Sequence, residues 1–201
     1  MTDLTEQEKI WNELSNTDKA WFRCVDCGLA KGRTNQVFCS VKGEVVPRGL
    51  VLIGEAPGAD EDECGVAFVG RAGKKLDRLL TEAGIENIFI TNTVLCRPPN
   101  NRNPKMIEMR KCWPRLQRQL LALKPRAIIC AGKIAANFIL DNDKSMGGMI
   151  DCVYQWSLGG RFNATVVPIY HPSYLLRQRN ASVDKRMIDR LKLASNVSEE
   201  G

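Results

Sequence analysis

The segment VLIGEAPGADEDECGVAFVGRAG, residues 51–73, starts as an apolar run, turns abruptly into acid and glycine, and returns to a lone aromatic, Phe68. Val51, Leu52 and Ile53, closed by Gly54, read as a buried strand. In an α/β sheet the residues that follow such a strand line a ligand crevice at its carboxyl end. Working outward, four short segments rich in Val and Ile read as strands: 49–54, 87–92, 126–131 and 165–170. Between the first two, Leu76, Leu79, Leu80 and Ala83 fall on one face of a helix that Gly84 ends. A second helix is expected after Asn103-Pro104, with Asn as cap and Pro in the first turn, and Pro114 breaks or restarts it before residues 115–124.

Strands alternating with helices imply right-handed crossovers. The expected fold is α/β, a three-layer α/β/α arrangement around a four-stranded parallel central sheet. The length of 201 residues suits one domain, 1–201, with a polar leading helix over 1–20 and a frayed tail from about 194 to 201. Residues 141–163 read as a loop or hairpin without chemistry.

Lys and Arg number 29 against 23 Asp and Glu, a net charge of +6, which favours an anionic partner. No stretch reaches the ~20 apolar residues of a membrane span, and MTDLTEQEKIWNEL is too acidic and polar for a secretory signal. A monomer in the cytoplasm, free or nucleoid-associated and with no membrane partner, is therefore expected. In a reducing compartment the eight cysteines point to metal or to burial. Cys39, Cys64, Cys130 and Cys152 read as free, buried thiols. Cys24 and Cys27 have metal-ligand spacing in a polar segment, and Cys96 and Cys112 are separated by 15 intervening residues that include PPNNRNP. Four thiolates suit structural zinc or an iron–sulfur cluster.

The strand ends carry the other candidates. Glu55 to Gly58 follow the first, Asn92 ends the second, Gly132-Lys133 follow the third, and His171-Pro172-Ser173-Tyr174 follow the fourth. His171 is the single histidine, so all imidazole chemistry falls to it. Phe68, in a glycine-rich loop, is placed to wall a pocket for a flat ligand. GEAPG has neither the G-x-G-x-x-G spacing of a dinucleotide site nor the G-K-[ST] ending of a phosphate loop. GRAGKK at 70–75 offers only a weak phosphate signal through Lys74.

With GEAPGADEDECGVAFVGRAGKKLDRLL, ITNTVLCRPPNNRNP and HPSYLLR in that order, the sequence from Cys24 to Arg177 resembles the family 4 uracil-DNA glycosylases, the iron–sulfur branch of their superfamily. The resemblance implies a 4Fe–4S cluster on Cys24, Cys27, Cys96 and Cys112, and removal of uracil from DNA. It implies a uracil site at Gly54, Glu61, Phe68 and Asn92, with Phe68 stacking on the base and Glu61 crowding its C5 side. Asn92 donating to O4 and accepting from N3–H would reject cytosine, whose pattern is reversed. His171 would donate to O2 as charge develops there, and Glu55 would orient water or steady the sugar cation. The acidic residues 60–63 offer rival carboxylates. Ser173 would contact a phosphate, Leu175 would wedge into the emptied stack, and Arg177, with Arg97, Arg102 and Arg179, would track the backbone. A reading from another class is a catalytically weak module, polymerase-associated or simply binding uracil-DNA, with the same fold and cluster. It predicts retention of uracil-DNA without release of base.

Overall fold

The structure, a computed structural model, describes residues 4–199. Its spine is four parallel strands: β2 (Leu50–Gly54), β3 (Ile88–Asn92), β4 (Ala127–Ala131) and β6 (Asn163–Ile169). The sheet has six strands rather than four, in the order β1-β3-β2-β4-β6-β5. Both additions are antiparallel edges, β1 (Ser40–Lys42) on β3 and β5 (Tyr154–Ser157) on β6. β1 is too short to show a period, and β5 alternates half-buried with exposed residues as an edge does. Gly159 and Gly160, both at positive φ, turn β5 back into β6, so 141–163 does contain a hairpin.

Alternation along the strands feeds two apolar layers. Val51, Ile53, Phe89, Ile128 and Val166 face α1 (Glu6–Trp21), α4 (Met106–Leu123) and α5 (Lys133–Leu140). Leu52, Ile88, Ile90, Ile129 and Val167 face α3 (Arg71–Glu82), α6 (Pro172–Gln178) and α7 (Ala181–Glu199). Each of these side chains is almost wholly removed from water, which stabilises the fold by about 1.5–3 kcal/mol apiece. A short helix, α2 (Ala59–Cys64), follows β2.

Three helical expectations change. α4 begins at Met106, because Glu108 accepts from the Lys105 N–H and draws a fork from Arg102, holding 102–105 outside the helix. Pro114 does not break α4, since Met109 and Cys112 before it and Leu116 and Leu120 after it are all anchored in apolar clusters. The tail expected to fray from 194 is helical to Glu199, anchored by buried Leu191 and Ala194; residues 200–201 lie outside the described ones. The leading helix runs from Glu6 with a capping box between Thr5 and Glu8, and residues 1–3 of that expectation lie outside the described residues. Among the described residues no helix is long and apolar enough to cross a membrane.

Candidate functional site

The carboxyl ends of β2, β3 and β6 open onto a cavity of about 420 Å³, lined among others by Glu55, Glu61, Phe68, Asn92, His171, Ser173 and Arg177. Phe68 and His171 stand with ring centroids 6.1 Å apart and planes tilted by 35°. Asn92 pairs in register with Gly54 across the two parallel strands. A Cβ on Gly54 would overlap Asn92 Oδ1 and the Phe68 ring, so the missing side chain lets amide and ring approach each other. Gly73 does the same behind Phe68, whose backbone is at φ 56°, by letting α3 close on its carbonyl. Gly54 thus shapes the site, with no side chain to offer a ligand.

Asn92 is 2 % exposed, and its Oδ1 has no hydrogen-bond partner among the described residues. An unmatched buried acceptor costs about 1–3 kcal/mol and points to a donor arriving with a ligand.

His171 caps α6. Its Nδ1 accepts from the Ser173 N–H at 3.2 Å and lies 2.8 Å from Ser173 Oγ. That leaves the ring proton on Nε2. Burial, with Arg177 adding to it, pushes the imidazole down from 6.5 to about 4, so it is neutral at pH 7. Because the unfolded chain then takes up this proton before the folded one does, stability falls as pH drops from 6.5 towards 4. The loss assignable to His171 is roughly 3 kcal/mol. Thermal unfolding of wild type and His171→Asn across that window checks it, and parallel profiles would refute it.

Five acids follow β2, Glu55 and the four of α2, and their surroundings separate them. Glu61 accepts from Gly58 N at 3.0 Å through Oε2 and from Gly70 N at 2.8 Å through Oε1. It lines the cavity while clamping the loop between α2 and α3. Asp62 accepts from Thr34 N at 2.9 Å and Asn35 N at 3.3 Å, tying this loop to the segment after the first cysteine pair. Asp60 and Glu63 are exposed. Glu55 lines the cavity, and burial raises its carboxyl above the usual range.

Leu175 does not stand where a wedge would. It is 2 % exposed and sits in the apolar layer with α3 and α7, because α6 turns this face inward. The Ser173 hydroxyl is engaged with the imidazole, so its first role is to orient His171. Of the basic residues, Arg177 is exposed at the cavity rim and Arg179 is exposed at the end of α6. Arg102 is forked onto Glu108 at 2.9 and 2.6 Å, and Arg97 donates to Asn101 at 2.7 Å. Pro98, Asn101 and Asn103, which the sequence did not single out, also line the cavity.

Cys24, Cys27, Cys96 and Cys112 gather beside Leu29, Val94, Leu95 and Met109. Cys112 acts electrostatically on Cys24 and Cys96, and Cys27 acts on both Cys112 and Cys96. Arg33 donates to Cys96 Sγ at 3.4 Å and to the Cys24 carbonyl at 2.6 Å, lacing the two pairs together. Burial pushes the Cys96 thiol up to about 11 and raises Cys24 and Cys112 as well. Among the described residues no three His, Cys, Asp or Glu side chains close around a single metal ion. The other four cysteines are free, but only Cys130 is buried; Cys39 is partly buried, and Cys64 and Cys152 are exposed, the first in the last turn of the short α2 and the second in a turn.

The support beneath Asn92 was not legible in the motifs. Arg115, fully buried, donates to the Asn92 carbonyl at 2.7 Å, to Thr91 Oγ1 at 2.9 Å and to Gln119 Oε1 at 2.7 Å. The available signal is an Arg and a Gln one helical turn apart at positions flanked by buried Leu116 and Leu120.

The family model described as the uracil DNA glycosylase superfamily matches residues 43–192. The chain is 38 % identical over 187 residues to the type-4 uracil-DNA glycosylase of Thermotoga maritima, spanning 89 % of this chain and 92 % of that protein. It is 40 % identical over 161 residues to the type-4 enzyme of Archaeoglobus fulgidus, spanning 76 % and 78 %. To a type-5 uracil-DNA glycosylase of Pyrobaculum aerophilum it is 28 % identical over 143 residues, 63 % of this chain and 62 % of that one.

Proposed function

The chain belongs to the uracil-DNA glycosylase superfamily, and from that premise we infer that it hydrolyses the N-glycosidic bond of deoxyuridine in DNA, leaving an abasic site. The observation that carries the reading is the buried Asn92 Oδ1, unmatched among the described residues and facing a cavity walled by Phe68 and His171. Uracil presents N3–H and O4 to such an amide, whereas cytosine presents an acceptor and a donor in their places.

The base leaves the helix and stacks on Phe68. As the C1′–N1 bond breaks, its electron pair moves onto uracil, and the Nε2–H of neutral His171 donates to O2. Water adds its oxygen to C1′ and passes a proton to Glu55, whose raised pKa suits that acceptance. Glu61 holds the loop that carries Phe68. Arg177 at the rim takes the phosphate flanking the flipped nucleotide, and the chain acts as a monomer.

Cys24, Cys27, Cys96 and Cys112 would hold a 4Fe–4S cluster, which when bound cross-links the amino-terminal segment to the 96–112 loop beside the cavity. The all-thiolate donor set, the Arg33 bridge and the apolar surround support this assignment. Purified protein is expected to be brown, and Cys96→Ser to lose both the visible absorbance and the iron. A colourless preparation with stoichiometric zinc would replace the cluster by zinc.

The activity is tested with a single-uracil oligonucleotide followed by alkali, where strand scission is expected. Intact strands, with the protein still retaining the uracil oligonucleotide, would leave only a binding module.

A further inference from the structure

Arg115 is a cation buried to 0 % exposure with no carboxylate among its hydrogen-bond partners in the described residues. Its three acceptors are neutral: the Thr91 hydroxyl, the Gln119 amide and the Asn92 carbonyl. Each is itself fixed. Thr91 donates to the Phe38 carbonyl at 2.9 Å, and Gln119 Nε2 reaches the same carbonyl at 3.4 Å. The guanidinium is therefore held in one orientation, and through it the peptide that carries the Asn92 side chain.

A fixed cation in a dry interior is unfavourable unless negative charge lies close by. Burial pushes the guanidinium down from its ordinary value, and the groups that act against this are, in order, Cys112, Asp18, Cys39 and Cys96. Asp18 supplies such a charge: burial beside an apolar hollow lined by Trp11, Leu14 and Phe22 raises its carboxyl only to about 6, so it is largely ionised at pH 7. Burial likewise lifts the Cys39 thiol to about 12, which keeps it neutral. Cys112 lies one helical turn before Arg115 on α4.

We propose that Arg115 is a positioning residue for the base-reading amide: its guanidinium, fixed by Thr91 and Gln119, donates to the Asn92 carbonyl and holds that peptide at the reading angle. The inference rests on the reading of Asn92 given above.

The test compares wild type, Arg115→Lys, Arg115→Gln and Asn92→Ala, the first two variants also in the Asn92→Ala background. The measurements are equilibrium affinity for oligonucleotides bearing a non-cleavable 2′-fluoro-deoxyuridine or a deoxycytidine at one position, and iron per chain with visible absorbance. Lys keeps the charge but cannot fork. Arg115→Lys is expected to retain iron and to lower the uracil-to-cytosine affinity ratio about tenfold in wild type and less than twofold in Asn92→Ala. Arg115→Gln, which loses both the charge and the fork, is expected to lower the ratio at least as far. If the Arg115 variants do not fold, Thr91→Val removes one guanidinium bond from an isosteric side chain and is expected to lower the ratio two- to fivefold, by the ~1 kcal/mol of one hydrogen bond.

An unchanged ratio in the folded variants, or an equal loss with and without Asn92, would overturn the proposal by reducing Arg115 to general structural support. A wild type with no preference for uracil over cytosine defeats the reading of the pocket instead, before any Arg115 variant is measured.

Discussion

Asn92→Ala is expected to lower kcat/KM for uracil release by about 10³–10⁴-fold. A site built to hydrogen-bond a polar substrate edge loses most of its selectivity when one side of that pairing is missing. The Asn92 amide supplies both an acceptor and a donor, from a position 2 % exposed where no water replaces them cheaply. The substitution leaves the backbone register with Gly54 and the Arg115 bond to the Asn92 carbonyl intact, so the melting temperature should move little. Asn92→Asp is the sharper probe. A carboxylate accepts but cannot donate to O4, so uracil release should fall nearly as far although the shape is kept. Steady-state cleavage of a uracil oligonucleotide, with thermal unfolding as control, checks both. A loss below tenfold in Asn92→Ala would remove the amide from base recognition.

The second large effect falls on His171. His171→Ala is expected to lower kcat by about 10²–10³-fold with KM nearly unchanged, the scale of removing one donor aimed at developing negative charge. The imidazole is neutral, and its proton sits on Nε2 because Nδ1 accepts from Ser173 N, so it donates without being an acid. His171→Gln keeps an N–H donor of similar reach and should recover part of the loss. Since His171 takes up its proton only near pH 4, it contributes no ionisation to the rate above pH 5. The acid side of the profile belongs to Glu55, which must be ionised to accept a proton and whose pKa burial raises. The rate should therefore fall as pH drops through a value above the ordinary carboxylate range, and Glu55→Gln should flatten that fall along with lowering the rate. A profile whose acid limb stays in Glu55→Gln would assign the limb elsewhere.

Leu175 and Glu61 show where local pattern and observed role part. Leu175 lies four residues beyond His171, where the resemblance places a wedge, yet α6 delivers it to the apolar layer. A helix of seven residues has an inward and an outward face, and only its docking decides which residue takes which. Glu61 stood in an acidic run that reads equally as solvent-facing. Two backbone N–H groups from the starts of α2 and α3 claim its oxygens, and that convergence exists only once the loop is closed.

The sequence by itself determined the four parallel strands, the helix after the first of them, and the candidates at strand ends, since β-period and helix-period burial and the glycines that permit close approach are local properties. It also singled out Phe68, Asn92 and His171, because few residue types can stack on, pair with and donate to a flat polar ring. Tertiary structure alone decided the antiparallel edges, the continuity of α4 through Pro114, the neutral Nε2–H tautomer of His171 and the fixing of Asn92 by Arg115. Each of these depends on what is removed from water and on which partner remains for a buried polar group. Those quantities are set by segments distant along the chain, here α4 against β3 and Ser173 against the imidazole.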